Sequence, residues 1–352
     1  MRAAGRAGRS LASQLSGMPK PLSRQVVAVT GASSGVGRAV ARAFAAAGAK
    51  VGLIARGVDG LNAAAREIGR AGGEALVLPT DVSHAAEVQK AAHALVERWG
   101  RIDTWVNGAM VSVFSPVVEM TPEEYRRVTE VNYLGTVYGT LAALRHMIPA
   151  DEGVIIQIGS ALVYRGIPLQ SAYCASKAAI RGFTDSLRSE LIHDRSRVKV
   201  CMIQLPAVNT PQFDVARTRL PRHPQPLPPI FQPEVIARGV LHLALHPRRE
   251  MWVGWSAAKA ILGQKFIGGL LDRYLAKAGW DSQMDDRPID PVNRPDNLAA
   301  PLPGDRGAHG DFDARSRTSS SELWMRLNAG KLAAGAAAAA AMALVAWRGL
   351  RG

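Results

Sequence analysis

Cysteine is scarce in this sequence, and so are the marks of an exported protein. Cys174 and Cys201 are the two cysteines among 352 residues and lie apart in the chain. This excludes a disulfide-held scaffold and indicates a reducing, cytoplasmic compartment. Residues 1–24 are rich in Arg, Ala, Gly and Ser and lack a continuous apolar stretch, which excludes a secretory signal. We interpret them as a disordered basic leader, with a transit-type targeting segment as the alternative.

Acidic residues are absent from both ends of the chain, and the formal net charge is +14. Residues 1–25 hold five basic side chains and residues 331–352 hold three, so the termini supply 8 of the 14 charges. We find no folded-face cluster of basic residues and none interleaved with aromatic residues, which make up 6% of the chain. The pattern argues against nucleic acid as a partner, and an anionic cofactor or lipid surface explains the charge equally well.

The sequence also lacks the ligand set of a metal site. His242 and His246 are four residues apart on a predicted helix and could face one ion together. However, neither an HExxH motif nor a third ligand accompanies them. We therefore interpret the pair as part of an ordinary helix face and predict no metal.

Short apolar runs alternate with segments of helical period from Val26 onward. The runs are apolar throughout, as in strands that are covered on both faces. Strand followed by helix, repeated, is typical of an α/β fold with a doubly wound parallel sheet. We predict one Rossmann-fold domain over residues 25–279, with strands at Val26–Thr30, Lys50–Ala55, Ala75–Pro79, Thr104–Asn107, Val154–Ile158, Val198–Leu205 and Met251–Val253.

Two segments depart from this pattern in composition. Residues 211–233 contain seven prolines, which predicts a stiff loop that we expect to act as a lid over the substrate. Residues 280–328 are polar with scattered Pro, Asp and Arg, and we expect a disordered linker there. A hydrophobic substrate is favoured by the apolar segment after residue 253 and by the apolar side chains of the lid, Phe213, Leu220, Leu227, Ile230 and Phe231.

The chain ends in an alanine-rich segment, residues 329–352, which predicts a helix. Leu332–Trp347 is sixteen residues without a charge, ten of them alanine. As a helix it would measure about 24 Å, short of the ~30 Å hydrocarbon core of a bilayer. The flanking Lys331, Arg348 and Arg351 and the terminal tryptophan are typical of a helix that rests on a membrane surface. Packing on a partner subunit, or fraying, is the alternative, and the sequence leaves both open.

A glycine-rich octet, TGASSGVG, joins the first predicted strand to the first helix. Gly31 permits a tight turn, Gly35 lets the backbone approach a pyrophosphate, and Gly37 lets the helix pack close to the strand. The helix N-terminus presents free N–H groups and the positive end of its dipole to phosphates. This context predicts a dinucleotide site with contacts at Gly31, Ser33, Ser34, Gly35, Val36 and Gly37.

The end of the second strand indicates which dinucleotide is bound. It reads Ile54-Ala55-Arg56, whereas an NAD site would place there an acidic residue that holds the ribose 2′-hydroxyl. An acid would repel a 2′-phosphate, and the guanidinium of Arg56 can pair with one through two hydrogen bonds. The predicted cofactor is NADP(H).

Residues 160–177, SALVYRGIPLQSAYCASK, contain the candidate catalytic groups. Tyr173 and Lys177 are four apart at the start of a predicted helix, so both project from one face. A carbonyl that accepts hydride develops negative charge on its oxygen and needs a proton donor. Free tyrosine has a pKa near ~10, and an adjacent lysine ammonium is expected to lower it.

Taken together, these motifs resemble those of the short-chain dehydrogenase/reductase family, over roughly residues 24–255. The octet matches the family's TGxxxGxG form, and Ser160, Tyr173 and Lys177 match its Ser…Tyr-x-x-x-Lys site with the thirteen-residue spacing from serine to tyrosine. Asn132 resembles the asparagine that completes the family's catalytic tetrad. The resemblance implies that Ser160 holds the substrate oxygen, Lys177 also binds the nicotinamide ribose, and Asn132 anchors a water that links Lys177 to solvent.

Further cofactor contacts are implied by the resemblance alone. Asp81, with Val82, resembles the family's adenine-contacting segment, and Asn107 begins a stretch that stands in place of its Asn-Asn-Ala-Gly sequence. Met110 departs from that sequence by putting bulk where glycine is usual. Ser34 stands where many NADP-specific members carry a basic residue, so Arg56 is the expected cation for the 2′-phosphate.

The segment from Pro206 to Thr210 resembles the family's Pro-Gly-x-x-x-Thr stretch, which implies nicotinamide contacts at Val208 and Thr210. Ala207 replaces the glycine, and the spacing is one residue shorter.

These observations predict an oxidoreductase that moves a hydride between NADP(H) and a carbonyl or alcohol carbon of a small, hydrophobic molecule. A non-catalytic NADP-binding sensor or scaffold is the alternative, which the intact catalytic set disfavours. Epimerisation of sugar nucleotides is a second, but such relatives usually carry a differently spaced glycine motif and a larger substrate domain. The family commonly dimerises through the helix that bears Tyr173, which implies a homo-oligomer.

Overall fold

A computed structural model of the chain describes residues 19–349. Its strands, in chain order, are β1 Val26–Thr30, β2 Lys50–Ala55, β3 Glu74–Pro79, β4 Thr104–Asn107, β5 Val113–Phe114, β6 Val154–Ile158, β7 Lys199–Gln204, β8 Ala207–Val208, β9 Arg217–Thr218, β10 Arg222–Pro224, β11 Ile230–Phe231, β12 Glu250–Trp252, β13 Met284–Pro288 and β14 Ser316–Arg317. Seven of them form one sheet of parallel neighbours in the order β12-β7-β6-β4-β1-β2-β3. The predicted doubly wound sheet is confirmed.

The helices cover this sheet on both faces. In chain order they are α1 Gly35–Ala46, α2 Val58–Arg70, α3 Ala85–Trp99, α4 Pro122–Val128, α5 Gly135–Ala150, α6 Ser171–His193, α7 Gln212–Val215, α8 Pro233–Leu245, α9 Trp255–Ala278, α10 Ser321–Leu327 and α11 Ala329–Gly349. A π-helical turn, Thr129–Leu134, joins α4 to α5. Short 3-10 turns lie at Leu22–Arg24, Val117–Glu119, Ala161–Val163, Asp281–Gln283 and Asp313–Arg315.

Two apolar layers hold the helices to the sheet. On one face α1, α2 and α8 pack on the strands through residues such as Phe44, Leu61 and Val240. On the other face α3, α5 and α6 pack through residues such as Leu95 and Met147. The strands are buried from both sides, which is why they read as continuous apolar runs rather than alternating ones.

The winding of the sheet reverses at β1. This strand pairs with β4 on one side and with β2 on the other. In an open parallel sheet such a reversal leaves a crevice beyond the carboxyl ends of the strands, where ligands bind. The fold therefore presents a ready-made site next to the glycine octet.

Residues 280–328 are not the disordered linker that their composition predicts. β13 pairs with β10, β14 pairs with β11, and α10 lies against the domain. Few apolar side chains suffice, because each is buried in a cluster with residues of the domain or the lid. Those buried from this segment are Met284, Leu298, Ala308, Phe312 and Leu323.

The predicted lid, residues 211–233, and the C-terminal segment form a third apolar cluster together. Phe213, Leu220 and Ile230 of the lid pack with Met284 and Phe312. The phenyl ring of Phe312 lies 5.7 Å from that of Phe213, edge to face. The two segments thus supply each other with a core that neither has alone.

The ends of the described chain differ from each other. Residues 1–18 of the predicted leader lie outside the described residues, whereas Lys20 forms ion pairs of 2.8 Å with both Asp103 and Glu152. Residues 19–24 are therefore not a disordered leader. At the other end α11 is a helix, and the side chains of Leu332 and Met342 on it are exposed. Across residues 19–349, no helix combines the length and the apolar character needed to cross a membrane.

Candidate active site

A cavity of about 540 Å³ lies at the carboxyl ends of the central strands. Its wall includes the residues that directly follow β1, β2, β4 and β6, as the reversal of the sheet predicts. Most of the site residues predicted from the sequence line it together: Gly31, Ser33, Ser34, Gly35, Val36, Gly37, Arg56, Asp81, Val82, Ser160, Tyr173, Lys177, Val208 and Thr210.

The turn from β1 into α1 forms the floor of one end of the cavity. Gly31 has a φ of +76°, and a Cβ on it would lie 2.9 Å from the Ala109 backbone. A Cβ on Gly37 would collide with the Gly31 carbonyl. Both positions therefore require glycine, and the first turn of α1 stays close to the strand and lines the cavity.

Thr30 ties this turn to the neighbouring strand. Its Oγ1 accepts hydrogen bonds from the backbone N–H groups of Gly108 and Ala109, at 2.9 and 3.2 Å. Thr30 is the first residue of the glycine-rich octet, and the motif alone predicts no contact for its side chain. The hydroxyl therefore holds the carboxyl ends of β1 and β4 at a fixed distance.

Arg56 lies at the cavity wall, as predicted, but its guanidinium already has protein partners. Nη1 donates to the Ala299 carbonyl at 2.9 Å and Nη2 to the Asn297 carbonyl at 2.6 Å. Burial lowers the pKa of Arg56, and the nearby Asp81 opposes that effect. The C-terminal segment thus orients the side chain expected to meet a 2′-phosphate.

Asp81 is held as a carboxylate at the same end. Arg127 donates to its Oδ2 at 2.7 Å, and Ser83 donates to Oδ1 through both its backbone N–H and its hydroxyl. Burial acts to raise the pKa of Asp81, but these bonds outweigh it and lower the pKa to about 2.

Tyr173 and Lys177 lie side by side on the first turns of α6. The Lys177 Nζ is 5.6 Å from the centroid of the Tyr173 ring. Burial raises the pKa of Tyr173 above its usual value, and a hydrogen bond with Ser160 opposes that rise. Desolvation is the largest influence on the pKa of Tyr173, and the lowering by Lys177 expected from the sequence stays a prediction.

Lys177 is buried and has one polar partner among the described residues. Its Nζ donates to the Ile158 carbonyl at the end of β6, at 2.7 Å. A carbonyl brings no charge to offset the loss of water, so burial lowers the pKa of Lys177 to about 8. The side chain therefore loses its proton near pH 8, below the usual range of lysine.

Comparison with known protein families agrees with this geometry. The sequence profile described as short chain dehydrogenase matches residues 25–220, more than half of the chain. The chain belongs to the short-chain dehydrogenase/reductase family. The resemblance seen in the sequence motifs is confirmed, and the chain is an oxidoreductase of this family.

Named relatives extend the match. The uncharacterized oxidoreductase YxnA of Bacillus subtilis is 38% identical over 276 residues, which are 77% of this chain and 77% of the relative. The human protein named dehydrogenase/reductase SDR family member 7 is 39% identical over 174 residues, 48% of this chain and 51% of the relative.

Solved structures share the fold. A metagenomic short-chain oxidoreductase in complex with NADP has 33% identity and a TM-score of 0.56, covering 66% of this chain and 98% of that one. An alcohol dehydrogenase from the archaeon Thermococcus sibiricus, complexed with 5-hydroxy-NADP, has 28% identity and a TM-score of 0.56, covering 65% of this chain and 94% of that one.

The two asparagines predicted for the short-chain dehydrogenase site lie behind the cavity wall. The Asn132 side chain accepts from the Val111 N–H at 2.9 Å and donates to the Val111 carbonyl at 3.0 Å. The Asn107 amide bonds Thr140 and Gln157 within the core. Neither lines the cavity, so both side chains hold backbone and core in place rather than facing a ligand directly.

The substrate end of the cavity is mostly apolar, although the lid contributes less than predicted. Leu220, Ile230 and Phe231 are buried in the core, while Phe213 and Leu227 line the cavity. Additional apolar lining comes from Leu162 and Ile167, and from Leu271 and Leu275 of the apolar segment after residue 253 that favours a hydrophobic substrate. Side chains of α9 thus form part of this wall.

Two polar residues of the C-terminal segment also line the cavity, Asn297 and Arg306. Their place in the site could not be predicted from the sequence, because residues 280–328 have the composition of a disordered linker and carry no motif. Only the folded path of the chain reveals that they reach the nucleotide end.

Proposed function

We propose that this short-chain dehydrogenase/reductase moves a hydride between NADP(H) and a carbonyl or alcohol carbon, with Tyr173 as the proton donor and acceptor. The observation that carries the proposal is the position of Tyr173. Ser160 acts on its hydroxyl against the rise in its pKa, and its ring lies beside Lys177, on the wall of the cavity that also contains the glycine cradle. A proton donor and a nucleotide site thus share one enclosed space.

The chemistry follows from these groups. A bound nicotinamide would supply or accept the hydride. Ser160 would hold the substrate oxygen by a hydrogen bond, and Tyr173 would deliver a proton to that oxygen as negative charge develops. Because burial raises the pKa of Tyr173, the phenol stays protonated at neutral pH, which suits the reduction direction.

Arg56 supports NADP(H) over NAD(H). It is a cation at the end of β2, where NAD sites carry an acid, and it lines the cavity. Two structural relatives were solved with NADP or a hydroxylated NADP. Asp81 stands nearby, but its charge is matched by Arg127 at 2.7 Å, so it does not cancel the attraction of Arg56 for a phosphate.

A hydrophobic substrate is supported by the apolar lining between the lid and α9. The cavity wall there includes Phe213, Leu227, Leu271 and Leu275. A membrane surface is proposed as a second partner, through α11, because Leu332, Met342 and Trp347 on it are exposed. Homo-oligomerisation also remains a proposal.

Replacing Tyr173 with Phe tests the catalytic assignment. The phenyl ring keeps its packing and only the proton donor is lost, so turnover should fall at least a hundredfold while NADPH affinity stays within about threefold. Turnover is measured as NADPH oxidation with carbonyl compounds of graded chain length, and affinity by fluorescence titration. Tyr138→Phe is the matched control, since its ring packs on the core outside the cavity.

A Tyr173→Phe variant that keeps more than about a tenth of the rate would show that another group moves the proton. A wild-type protein that binds NADPH and turns over no compound of the panel would instead favour the sensor or scaffold alternative.

A further inference from the structure

A stretch of the C-terminal segment crosses the nucleotide end of the cavity, and we call residues 296–313 the strap. Its first part meets Arg56 through the Asn297 and Ala299 carbonyls. Its middle reaches the cradle, where the Gly35 N–H donates to the Gly307 carbonyl at 3.1 Å. The strap therefore runs along the site from the end of β2 to the start of α1.

The strap continues past the cradle to the region predicted to meet nicotinamide. There the Asn209 side chain accepts hydrogen bonds from the backbone N–H groups of Gly310 and Phe312, both at 3.1 Å. A Cβ on Gly310 would collide with the Thr210 carbonyl. The whole length of the nucleotide site is thus bordered by one segment.

Strong contacts fix the strap in this position. Asp305 pairs with Arg38 at 2.5 Å, and Arg38 has no exposed surface. Asp296 pairs with Arg217 at 2.8 Å. Leu298 is buried, and its carbonyl accepts from Arg127 at 3.1 Å. Asp296 and Asp305 are therefore each neutralised by an arginine of the domain.

Two polar groups of the strap are left without such partners although they line the cavity. The Asn297 Oδ1 is buried and accepts no hydrogen bond among the described residues. Arg306 forms no ion pair in the part of the chain that the structure describes, and its hydrogen bond there is a long one, 3.4 Å, to the Pro303 carbonyl. A buried acceptor and an uncommitted guanidinium at a nucleotide site are groups that a ligand would satisfy.

We propose that the strap completes the adenosine half of the cofactor site. Arg306 binds the 2′-phosphate together with Arg56, and the Asn297 side chain hydrogen-bonds the adenosine. The proposal rests on the proposed function, and it adds residues that lie outside the region, 25–220, that matches the family profile.

The state of Arg56 explains why a second cation is needed. Both of its terminal nitrogens already donate to strap carbonyls. The guanidinium is therefore no longer free to form a fully bidentate pair with a phosphate. Ser34, which stands where many NADP-specific members of the family carry a basic residue, is neutral. Arg306 also lines this cavity and adds a positive charge that no acid pairs with among residues 19–349.

Two single substitutions separate the two roles. Arg306→Ala should weaken NADPH binding about tenfold or more and leave NADH binding within about twofold, because only NADPH carries the 2′-phosphate. Asn297→Ala should weaken both by a similar factor, because both contain adenosine. The strap's own bonds at Asn297 use its backbone N–H and carbonyl, so the variant keeps them.

The measurement is calorimetric titration of the full-length protein with NADPH, NADH, 2′,5′-ADP and 5′-ADP. Arg70→Ala is the matched control, since it removes one exposed positive charge at the end of α2, outside the cavity lining. Melting temperatures of all variants should agree with that of the wild type, because neither truncated side chain has a close side-chain partner. Arg306→Lys should recover part of the NADPH affinity.

Several results would overturn the proposal. If Arg306→Ala weakened NADPH and NADH equally, Arg306 would serve the shared diphosphate instead. Unchanged affinities would remove both residues from the site, and increased NADPH affinity would show that the strap competes with the nucleotide. A wild-type protein that binds none of the four nucleotides would defeat the proposed function itself, and Arg56→Ala, which should also lower NADPH affinity, serves as the positive control.

Discussion

At the scale of single residues, burial inverts the order in which the two central side chains lose their protons. Burial raises the pKa of Tyr173 and lowers that of Lys177 to about 8, although free lysine has a value of 10.5. The lysine therefore titrates first. If Lys177 must be an ammonium to support proton delivery by Tyr173, the enzyme has an alkaline limit set by Lys177.

We expect kcat/KM for carbonyl reduction to fall as the pH rises through about 8, because the ammonium of Lys177 is present below that pKa and lost above it. The profile is measured from about pH 6 to about pH 10 with NADPH and one carbonyl substrate. Lys177→Arg keeps its charge over this range and should remove the alkaline limb from whatever activity it retains. A limb that is identical in the variant would assign the titration to another group.

The expected loss of activity is not caused by unfolding, because the titration of Lys177 changes the free energy of unfolding in the opposite direction. Between about 8 and 10.5 the unfolded chain holds the Lys177 proton while the folded chain has released it. Stability then rises with pH, because the unfolded state binds more protons. Lys177 therefore contributes a gain in the free energy of unfolding over the same window in which activity falls.

At the scale of elements, the C-terminal segment is a structural part of the domain. α10 begins with the Ser320 hydroxyl accepting from the Leu323 N–H, and Leu323 enters the layer formed by α1 and α8. Glu322, also on α10, accepts a hydrogen bond of 2.9 Å from the N–H of Gly254, the residue before α9. Removing the segment would uncover both apolar and polar partners.

Leu323→Ala should lower the free energy of unfolding by about 2 to 5 kcal/mol, because it leaves a cavity at a site where the side chain is 2% exposed. Leu332→Ala, at a side chain 44% exposed on α11, is the control and should change it by no more than about 0.5 kcal/mol. Urea denaturation followed by circular dichroism gives both values. Equal, small effects would mean that residues 280–328 behave as the linker that the composition predicted.

At the scale of the whole molecule, exposed apolar side chains of α9 lie on the helix that also lines the cavity. The chain carries +14 overall. Phe266, Leu270 and Tyr274 on α9 are more than 60% exposed, and α9 also lines the substrate end of the cavity. A membrane surface beside this helix would place a hydrophobic substrate close to the site.

Deleting residues 329–352 should move the protein from the membrane fraction to the supernatant of lysed cells, because the deletion removes α11 and the three cations of the tail. The full-length chain should sediment with membranes in low salt. The Tyr138→Phe variant, which leaves α11 unchanged, controls for changes in expression. If both the full-length and the shortened chain stay in the supernatant without detergent, the proposed membrane partner is wrong.

The sequence by itself determined the sheet and the face on which the site lies. Strand runs that are apolar throughout are typical of a covered parallel sheet, and a glycine-rich octet between a strand and a helix is typical of a dinucleotide site. Spacing along one helix placed Tyr173 beside Lys177 without any knowledge of the rest of the fold. These are local constraints, and local constraints can be read from a sequence.

The tertiary structure alone decided which groups face the cavity and in what state of protonation. Asn132 turns to the Val111 backbone, burial raises the pKa of Tyr173, and the strap engages Arg56. Each of these depends on a contact between segments distant in the chain, such as Arg56 and Asn297, 241 residues apart. Desolvation and pairing act through space, so composition and spacing carry no record of them.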